Sequence, residues 1–431
     1  MAQRLGTPGL VIFGLVLVQP IAPVPLFGLA SNMTKGHATL ALVCAMIAMS
    51  LTAISYGRMA AAHPTGGSAY TYAARELHPR IGFLAGWAMG LDYLLIPVIS
   101  ALYASLTLTK LFPWLPVPLA LVCFIASLTA INLAGQQVYF KANVVLLVLM
   151  LGAVIVFFAA TFLFVSQTRG WNVFIAPSSF YNPSTFDSVS LWRGTALVAL
   201  TYLGFDGVTT LADEARDAAV NVPRATILVV LITGVLGSLQ VHFAHVAWPA
   251  FATFPAPETA FLDVAMRVGG RFVLGLISVT LIVASAGTFL SAQAGASRLL
   301  LAMGKDGALP KRPFAIYSGR RGVPSVNVIL VGVLAGVGAV ALRFEQAAEL
   351  VNFGALVAFV AVNAAAVKRT FVRRQVWATT LGTLALGFCC AIAAGLSPAA
   401  RVIGVAWLSL GAAFTFCSTR GQGALPCRYP Q

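Results

Sequence analysis

The sequence predicts an all-α integral membrane protein with twelve transmembrane helices, and its composition and segment lengths carry that prediction. Of the 431 residues, 59% are hydrophobic and only 9% are charged, whereas soluble domains carry about 25% charged residues. The mean hydropathy is +0.90. Apolar segments of about 18 to 25 residues, the length that crosses a bilayer, recur along the whole chain.

The twelve predicted spans follow one another with short connections. Their approximate bounds are residues 8–31, 38–60, 81–109, 117–135, 142–165, 190–212, 225–248, 271–300, 324–342, 347–366, 376–396 and 401–418. An even number of spans places both termini on one side. Most of the 27 Lys and Arg residues lie in the loops of that side, so the positive-inside rule predicts that both termini are cytoplasmic. The basic residues form short groups and no continuous stripe, so no nucleic-acid partner is predicted.

Three prolines interrupt the first predicted span, in the stretch LVLVQPIAPVPLFGLAS (residues 15–31). Each proline lacks an N–H and displaces the carbonyl four residues before it, so the carbonyls of Val16, Gln19 and Ile21 lose their helical partners. In hydrocarbon such groups are tolerated only where the backbone is buried in protein or lines a cavity. The stretch therefore predicts a cavity. The candidate binding residues here are Gln19, Pro20, Ile21, Ala22 and Pro23.

The sixth predicted span contains a second interruption, Gly204-Phe205-Asp206-Gly207. Each glycine weakens a helix by roughly 1 kcal/mol relative to alanine, and an ionised aspartate at membrane depth costs more still. Ionisable residues inside a membrane are usually functional. All four residues are therefore candidates for the binding site. The alternative for Asp206 is a buried acid paired with a fixed arginine.

The two interruptions lie in spans 1 and 6, which are corresponding positions in a five-plus-five inverted repeat. Discontinuous helices at matching positions mark substrate sites near the bilayer midplane. We therefore predict one transporter domain over residues 1–431. Its first repeat covers about 8–165, its second about 190–366, and two accessory helices about 376–418. The carbonyls of the first break suit an ammonium group or a cation, and the half-helix N-termini suit a carboxylate.

Other candidate site residues lie close to the interruptions in depth or in sequence. Asp92 lies about 16 Å along span 3 at 1.5 Å per residue, and a second intramembrane carboxylate is a functional candidate. A hydrogen bond between helices is its alternative role. Tyr93, Tyr202 and Phe205 neighbour the two acids and could close over a bound amine by cation–π contact. Their alternative role is packing between helices.

Four stretches of the chain resemble amino acid–polyamine–organocation (APC) permeases and are most similar to bacterial putrescine importers. In the order of the family they are HPTGGSAYTYAARELHPRIGFLAGWAMGLDYLL (63–95), YLGFDGVTTLADEARDAAVNVPRA (202–225), AGASRLLLAMGKDGALPK (294–311) and ELVNFGALVAFVAVN (349–363). The resemblance implies a leucine-transporter-type fold, uptake coupled to protons or sodium, and an amino acid or organic amine as substrate. It also implies Lys141, near the cytoplasmic start of span 5, as a proton-coupling candidate, with a topology charge at the interface as the alternative.

The charge of the predicted site bears on the substrate. Asp206 and Asp92 face no arginine or lysine at the same depth, and a buried unpaired ion is costly. The expected substrate is therefore a cationic amine, or an amino acid bound mainly through its ammonium group. The chain carries Pro25-Leu26 where putrescine importers carry an acidic residue, so both alternatives stay open.

The function that these observations favour is a secondary active transporter that imports its substrate by alternating access, coupled to protons. An exchanger of amines or amino acids is the alternative, and a membrane-embedded enzyme or a channel is a remote one. The sequence contains no G-x-S-x-G or H-E-x-x-H motif, and no enzyme activity, cofactor or metal site is predicted. His242 and His245 are one turn apart without a third ligand nearby, so hydrogen bonding is their expected role. We expect a multi-pass protein of the bacterial inner membrane whose partners are its substrate and the lipid bilayer.

Overall fold

The computed structural model describes residues 5–64, 68–134, 140–305, 311–316 and 323–418. Its α-helices, numbered α1 to α15 in chain order, are Thr7–Val18, Phe27–Met33, Ala38–Ala62, Ser68–Glu76, Pro79–Leu111, Val117–Leu133, Phe140–Thr168, Ser188–Val198, Ala218–Ala247, Ala260–Lys305, Lys311–Phe314, Ser325–Ala341, Phe344–Val372, Val376–Gly395 and Pro398–Ser418. Short 3-10 helices are Val24–Leu26, Trp171–Phe174, Pro177–Ser179, Ala199–Tyr202, Phe205–Glu214, Phe251–Thr253 and Pro257–Thr259. No strand occurs in these described ranges.

The helices agree with the predicted spans in position. Within the described chain, nine helical segments are long and apolar enough to cross a membrane, and they correspond to predicted spans 2, 3, 5, 6, 7, 8, 10, 11 and 12. The remaining three spans correspond to shorter apolar helices, namely Thr7–Val18 with Val24–Met33, Val117–Leu133 and Ser325–Ala341. The chain is therefore an all-helical, multi-pass membrane protein. The count of twelve and the inverted repeat stay predictions.

The helices α4 and α10 show how the structure departs from the predicted spans. The helix α4 has nine residues, is too short and polar to be predicted as a span, and packs against α5 and α13. The helix α10 begins at Ala260, before the predicted start at 271, because the chain continues in helix on both sides of a break at Gly270. There the backbone has φ 61°, which glycine adopts without steric cost.

The packing brings the two interrupted spans together. The helix α3 packs along α9, and α5 lies against both α10 and α13. The helix α1 packs against α9 and against the 3-10 helix Phe205–Glu214. A glycine permits this close approach, since a Cβ added at Gly14 would come within 2.5 Å of Val229 and 2.7 Å of Val208. Small residues serve the same purpose at many helix interfaces in membranes.

Candidate functional site

The first span is interrupted between α1 and α2, where the prolines stand. The helix α1 ends at Val18, and Gln19 adopts a left-handed φ of 61°, which costs a non-glycine residue about 1–3 kcal/mol. The carbonyl of Gln19 accepts from the N–H of Ala22 at 2.8 Å, and that of Ile21 accepts from Val24 at 3.1 Å. Both carbonyls thus lose their helical partners, as the prolines predict, but tight turns replace the lost hydrogen bonds, so neither carbonyl is left without a donor.

The side chain of Gln19 ties the first break to α10. Its amide nitrogen donates to the hydroxyl of Thr288 at 2.5 Å and to the carbonyl of Ala284 at 3.2 Å. These two hydrogen bonds offset part of the backbone strain at Gln19. They also hold its side chain against the wall of the cavity described below.

The second break lies at the position that the glycines predict. The helix α8 ends at Val198, and after a 3-10 turn Gly204 adopts φ 104°, a conformation open mainly to glycine. A Cβ added at Gly204 would lie 3.2 Å from the carbonyl oxygen of Leu17, and one at Gly207 would lie 2.6 Å from a methyl group of Leu17. The second break therefore packs directly on the last turn of α1.

A cavity of about 150 Å³ lies between the two breaks, α5 and α10. This is below the roughly 300–1,000 Å³ of drug-sized pockets, so it suits a small metabolite. Three of the candidate binding residues at the breaks line this cavity, namely Gln19, Ile21 and Ala22. Pro20 and Pro23 shape the break without lining the cavity.

The cavity also has polar walls that sequence reasoning missed. The hydroxyl-bearing residues that line it are Ser100 and Tyr103 on α5 and Ser285 and Thr288 on α10. Serine and threonine are frequent in membrane helices, and these four lie in uninterrupted apolar segments. Hydroxyl groups within such segments are a weak signal, because only the packing decides which of them reach a cavity.

The two predicted acids lie just beyond the cavity. Asp206 is 8% exposed, follows the cavity residue Leu203 by three positions, and its carboxylate faces backbone N–H groups of the second break. Asp92 lies one turn before the cavity residue Ile96, and its Oδ1 is buried without a hydrogen-bond partner in the described chain. The two acids are close enough for their charges to interact. Neither forms an ion pair with any described basic residue.

Two of the aromatic candidates belong to the packed core. Phe205 is fully buried, and its ring centroid lies 5.5 Å from that of Tyr56 and 5.2 Å from that of Phe359. Tyr202 is also fully buried, and its hydroxyl donates to the carbonyl of Leu42 at 2.9 Å. Neither ring lines the cavity. In this structure both rings are occupied by helix packing, and the contact of Tyr202 and Phe205 with a bound amine stays a prediction.

The remaining candidates have different environments. Tyr93 is 46% exposed, and a Cβ added at Gly295 of α10 would lie 3.1 Å from its ring. Lys141 lies in the first turn of α7, and its side chain is outside the part of the chain that the structure describes. His242 donates from Nε2 to the carbonyl of Phe174 at 2.8 Å, so it fastens the segment that follows α7.

An ion network joins α3, α4 and α13 near the end of each helix. The Oε1 atom of Glu76 accepts from His63 at 2.7 Å and from Arg369 at 2.5 Å, and Lys368 donates to the backbone carbonyl of Glu76 at 2.6 Å. Burial raises the pKa of Glu76, but the hydrogen bonds and charges of His63 and Arg369 hold this pKa below its ordinary value of 4.5. On α13 the cavity residues Phe344 and Val351 lie at the opposite end from this network.

A multi-pass helical bundle with a small cavity between two interrupted spans is the architecture of a membrane transporter. The family model described as amino acid permease matches residues 26–418. The chain therefore belongs to the amino acid permease family, and it is a permease rather than an enzyme.

Relatives of known activity extend over most of the chain. The low-affinity putrescine importer PlaP of Escherichia coli (strain K12) is 32% identical over 422 residues, which cover 95% of this chain and 92% of the importer. The branched-chain amino acid permease BcaP of Bacillus subtilis (strain 168) is 24% identical over 389 residues, covering 85% of this chain and 81% of that permease. The vacuolar cationic amino acid transporter 4 of Arabidopsis thaliana is 27% identical, covering 84% of this chain and 62% of the plant protein. The predicted resemblance to APC permeases and putrescine importers is thus confirmed.

Proposed function

We propose that this permease imports a small organic amine or an amino acid by alternating access, through a site between the two helix breaks. The observation that carries the proposal is a pair of acids next to the cavity, namely buried Asp206 and partly buried Asp92, whose Oδ1 atom is buried. Neither acid forms an ion pair with a described basic residue. A buried charge needs a partner of opposite sign. The ammonium group of a substrate supplies that partner.

The walls of the cavity suit the remainder of such a molecule. Ile21, Ala22 and Leu203 offer apolar contacts to a short hydrocarbon chain, while Ser100 and Thr288 offer hydroxyl groups. The names of the relatives support the same chemistry, because a putrescine importer and amino acid permeases all carry molecules with an ammonium group. Their bacterial members also support a location in the bacterial inner membrane. Coupling to protons completes the proposal, with protons neutralising whichever acid the substrate leaves unpaired.

A thermal-shift screen of the purified protein tests the proposed substrate class. The panel contains putrescine, monoamines, neutral and cationic amino acids, and organic acids that lack an amine. A ligand at 100 times its dissociation constant stabilises a protein by about 2.7 kcal/mol. We expect the melting temperature to rise with one or more ammonium-bearing compounds and to stay constant with the organic acids.

Uptake of the best compound into proteoliposomes then tests transport. Saturable uptake without ATP supports a carrier. If only organic acids raise the melting temperature, the assignment of the two acids to an ammonium group is overturned.

A further inference from the structure

Two buried amide side chains reach the two helix breaks from other helices. In α9, the Nε2 atom of Gln240 donates to the carbonyl of Pro20 at 2.8 Å. In α13, the Nδ2 atom of Asn352 donates to the carbonyls of Ala196 at 2.8 Å and Leu197 at 3.1 Å. Each interrupted span is thus held by an amide that belongs to an uninterrupted helix.

The carbonyls that these amides bind are ones that the breaks expose. In a continuous helix the carbonyl of Pro20 would accept from the N–H of Val24, but that N–H donates to Ile21 instead. The carbonyls of Ala196 and Leu197 belong to the last turn of α8, which no further α-helical turn follows, although that of Leu197 also accepts from the N–H of Ala199. The two side-chain amides therefore donate to carbonyls at positions where the interrupted backbone offers fewer N–H donors than a continuous helix would.

The carbonyl oxygens of the same two side chains indicate which part of the amide group matters. The Oε1 atom of Gln240 and the Oδ1 atom of Asn352 are both buried without a hydrogen-bond partner in the described chain. The two residues are 0% and 1% exposed. A buried acceptor without a partner is unfavourable, so an apolar residue would fill either position at lower cost if packing alone were required. What distinguishes the amide is its donor, and the donor is directed at a break.

We propose that Gln240 and Asn352 are positioning residues, which hold the interrupted segments of spans 1 and 6 in the shape that forms the binding site. Neither residue lines the cavity, so each acts through the backbone that it binds. Gln240 fixes the turn that presents Ile21 and Ala22 to the cavity. Asn352 fixes the turn that leads to Gly204. This inference rests on the proposed function in one respect, namely that the substrate binds between the two breaks.

The test compares variants that keep the shape of the side chain and lose its donor. These are Gln240→Met and Asn352→Leu. The matched controls are Gln293→Leu and Asn363→Leu, because both are buried amides that bond elsewhere. Gln293 contacts Asn132, Thr129 and Val328, and Asn363, on the same helix as Asn352, contacts Thr52 and Cys389.

Hydrogen–deuterium exchange provides a readout that requires no substrate. We expect Gln240→Met to speed exchange of the backbone amides over residues 19–26 by at least about tenfold, and Asn352→Leu to do so over residues 197–204, because each loses the contact that limits local opening. The controls should leave both segments unchanged. In transport assays, the two test variants should raise KM about tenfold while the maximal rate changes less than about twofold, as expected when site geometry is loosened.

Several results would overturn the inference. One is unchanged exchange at the breaks in both test variants, and another is the same acceleration in the controls, which would indicate general destabilisation. If a test variant does not fold, Gln240→Asn and Asn352→Gln keep the amide, displace it by one methylene group, and should give a smaller change of the same kind. A wild-type protein that carries no amine or amino acid would overturn the proposed function, whereas the exchange measurement would still decide the role of the amides.

Discussion

At the residue scale, the two acids beside the cavity differ in what surrounds them. The carboxylate of Asp206 faces backbone N–H groups of the second break, and such donors hold a carboxylate in a fixed orientation. Asp92 lies within the continuous helix α5, and its Oδ1 has no hydrogen-bond partner in the described chain. Asp206 is therefore suited to be a permanent anchor for an ammonium group. Asp92 is suited to bind a second cation, either a proton or the second ammonium group of a diamine.

The first prediction concerns Asp206. Removing one partner of a buried charge pair costs about 2–5 kcal/mol, so Asp206→Asn should weaken binding of every ammonium-bearing substrate by at least about 30-fold. Titration calorimetry with the best compound measures the change. Asp217→Asn is the control, since Asp217 is 76% exposed and lies after the span. A folded Asp206→Asn protein with wild-type affinity would contradict the anchor role.

The second prediction concerns Glu76 and pH. Its pKa in the folded protein lies below the ordinary value of 4.5, so ionised Glu76 stabilises the fold at pH values above 4.5, and this contribution is lost as the pH falls through the folded-state pKa. Glu76→Gln should lower the melting temperature by about 2–4 °C at pH 5.5, if the network contributes about 1 kcal/mol. The difference in melting temperature from wild type should shrink as the pH falls below 4.5 and through the lowered pKa of Glu76.

Differential scanning fluorimetry at matched ionic strength measures the Glu76 effect. Glu214→Gln changes an exposed acid and should show no such pH dependence. If the difference in melting temperature between wild type and Glu76→Gln persists in acid, the ionised carboxylate of Glu76 is not what stabilises the network.

Sequence reasoning found the residues whose chemistry conflicts with a membrane and missed those whose role depends on packing. Asp206 and Asp92 could be singled out as candidates because a carboxylate in an apolar segment is costly and rare. Tyr202 could not be placed, because its neighbour Leu42 lies 160 positions away in sequence. Gln240 and Asn352 were missed for the same reason. An amide in a span signals a polar partner, but only the fold identifies that partner.

At the scale of elements, the breaks show which part of local structure the sequence determines. Prolines and glycines determine where spans 1 and 6 are interrupted, because they act through their own backbone geometry. They do not determine how the freed carbonyls are satisfied. At the first break this depends on tight turns and on α9, and at the second it depends on α13. The helix α4 was not predicted because it is short and polar. Its main packing partners are α5 and α13, which only the fold identifies.

The third prediction concerns the prolines of the first break. Pro20→Ala with Pro23→Ala restores two backbone N–H groups, so the helix can extend across residues 19–23 and alter the cavity wall. We expect the transport rate to fall about tenfold, equivalent to about 1.4 kcal/mol, with a smaller effect on thermal stability. Proteoliposome uptake and melting temperature are measured in parallel. Pro398→Ala, at the first residue of α15, is the control, and normal transport by the double variant would mean that the prolines do not maintain the site.

At the scale of the whole molecule, the cavity and the Glu76 network lie at opposite ends of α13, which carries Phe344 and Val351 at one end and Arg369 at the other. On α5 the cavity residues run from Ile96 to Tyr103, whereas α4, which carries Glu76, directly precedes the start of α5. The positive-inside rule predicts that the network lies on the cytoplasmic side. With that orientation, the network joins helix ends on the cytoplasmic side while the cavity lies in the outer half. The predicted orientation and the five-plus-five repeat both depend on the arrangement of whole helices, which hydropathy alone does not define.

The fourth prediction concerns the coupling ion, which is a property of the complete transport cycle. A desolvated site that changes sides must keep its charges paired, and two acids with a monoamine substrate leave one negative charge for another cation. Hard metal cations favour several oxygen ligands, and the carbonyls of Gln19 and Ile21 already accept turn hydrogen bonds. A proton needs only one carboxylate oxygen, and Oδ1 of Asp92 has no hydrogen-bond partner in the described chain. We therefore expect protons rather than sodium to drive uptake.

Imposed gradients in proteoliposomes test this prediction, with the membrane potential clamped by potassium and valinomycin. A lumen two pH units more alkaline than the medium provides about 2.7 kcal/mol per proton, so one coupled proton should support at least about tenfold accumulation of substrate. A hundredfold inward sodium gradient at equal pH should give none, and a protonophore should abolish the accumulation. Asp92→Asn should still bind the substrate and equilibrate it across the membrane, but should lose the response to the pH gradient. Accumulation driven by sodium would contradict proton coupling. Uptake that requires substrate preloaded in the lumen would instead identify an exchanger, because a second substrate molecule would then be needed to return the site to the outer side.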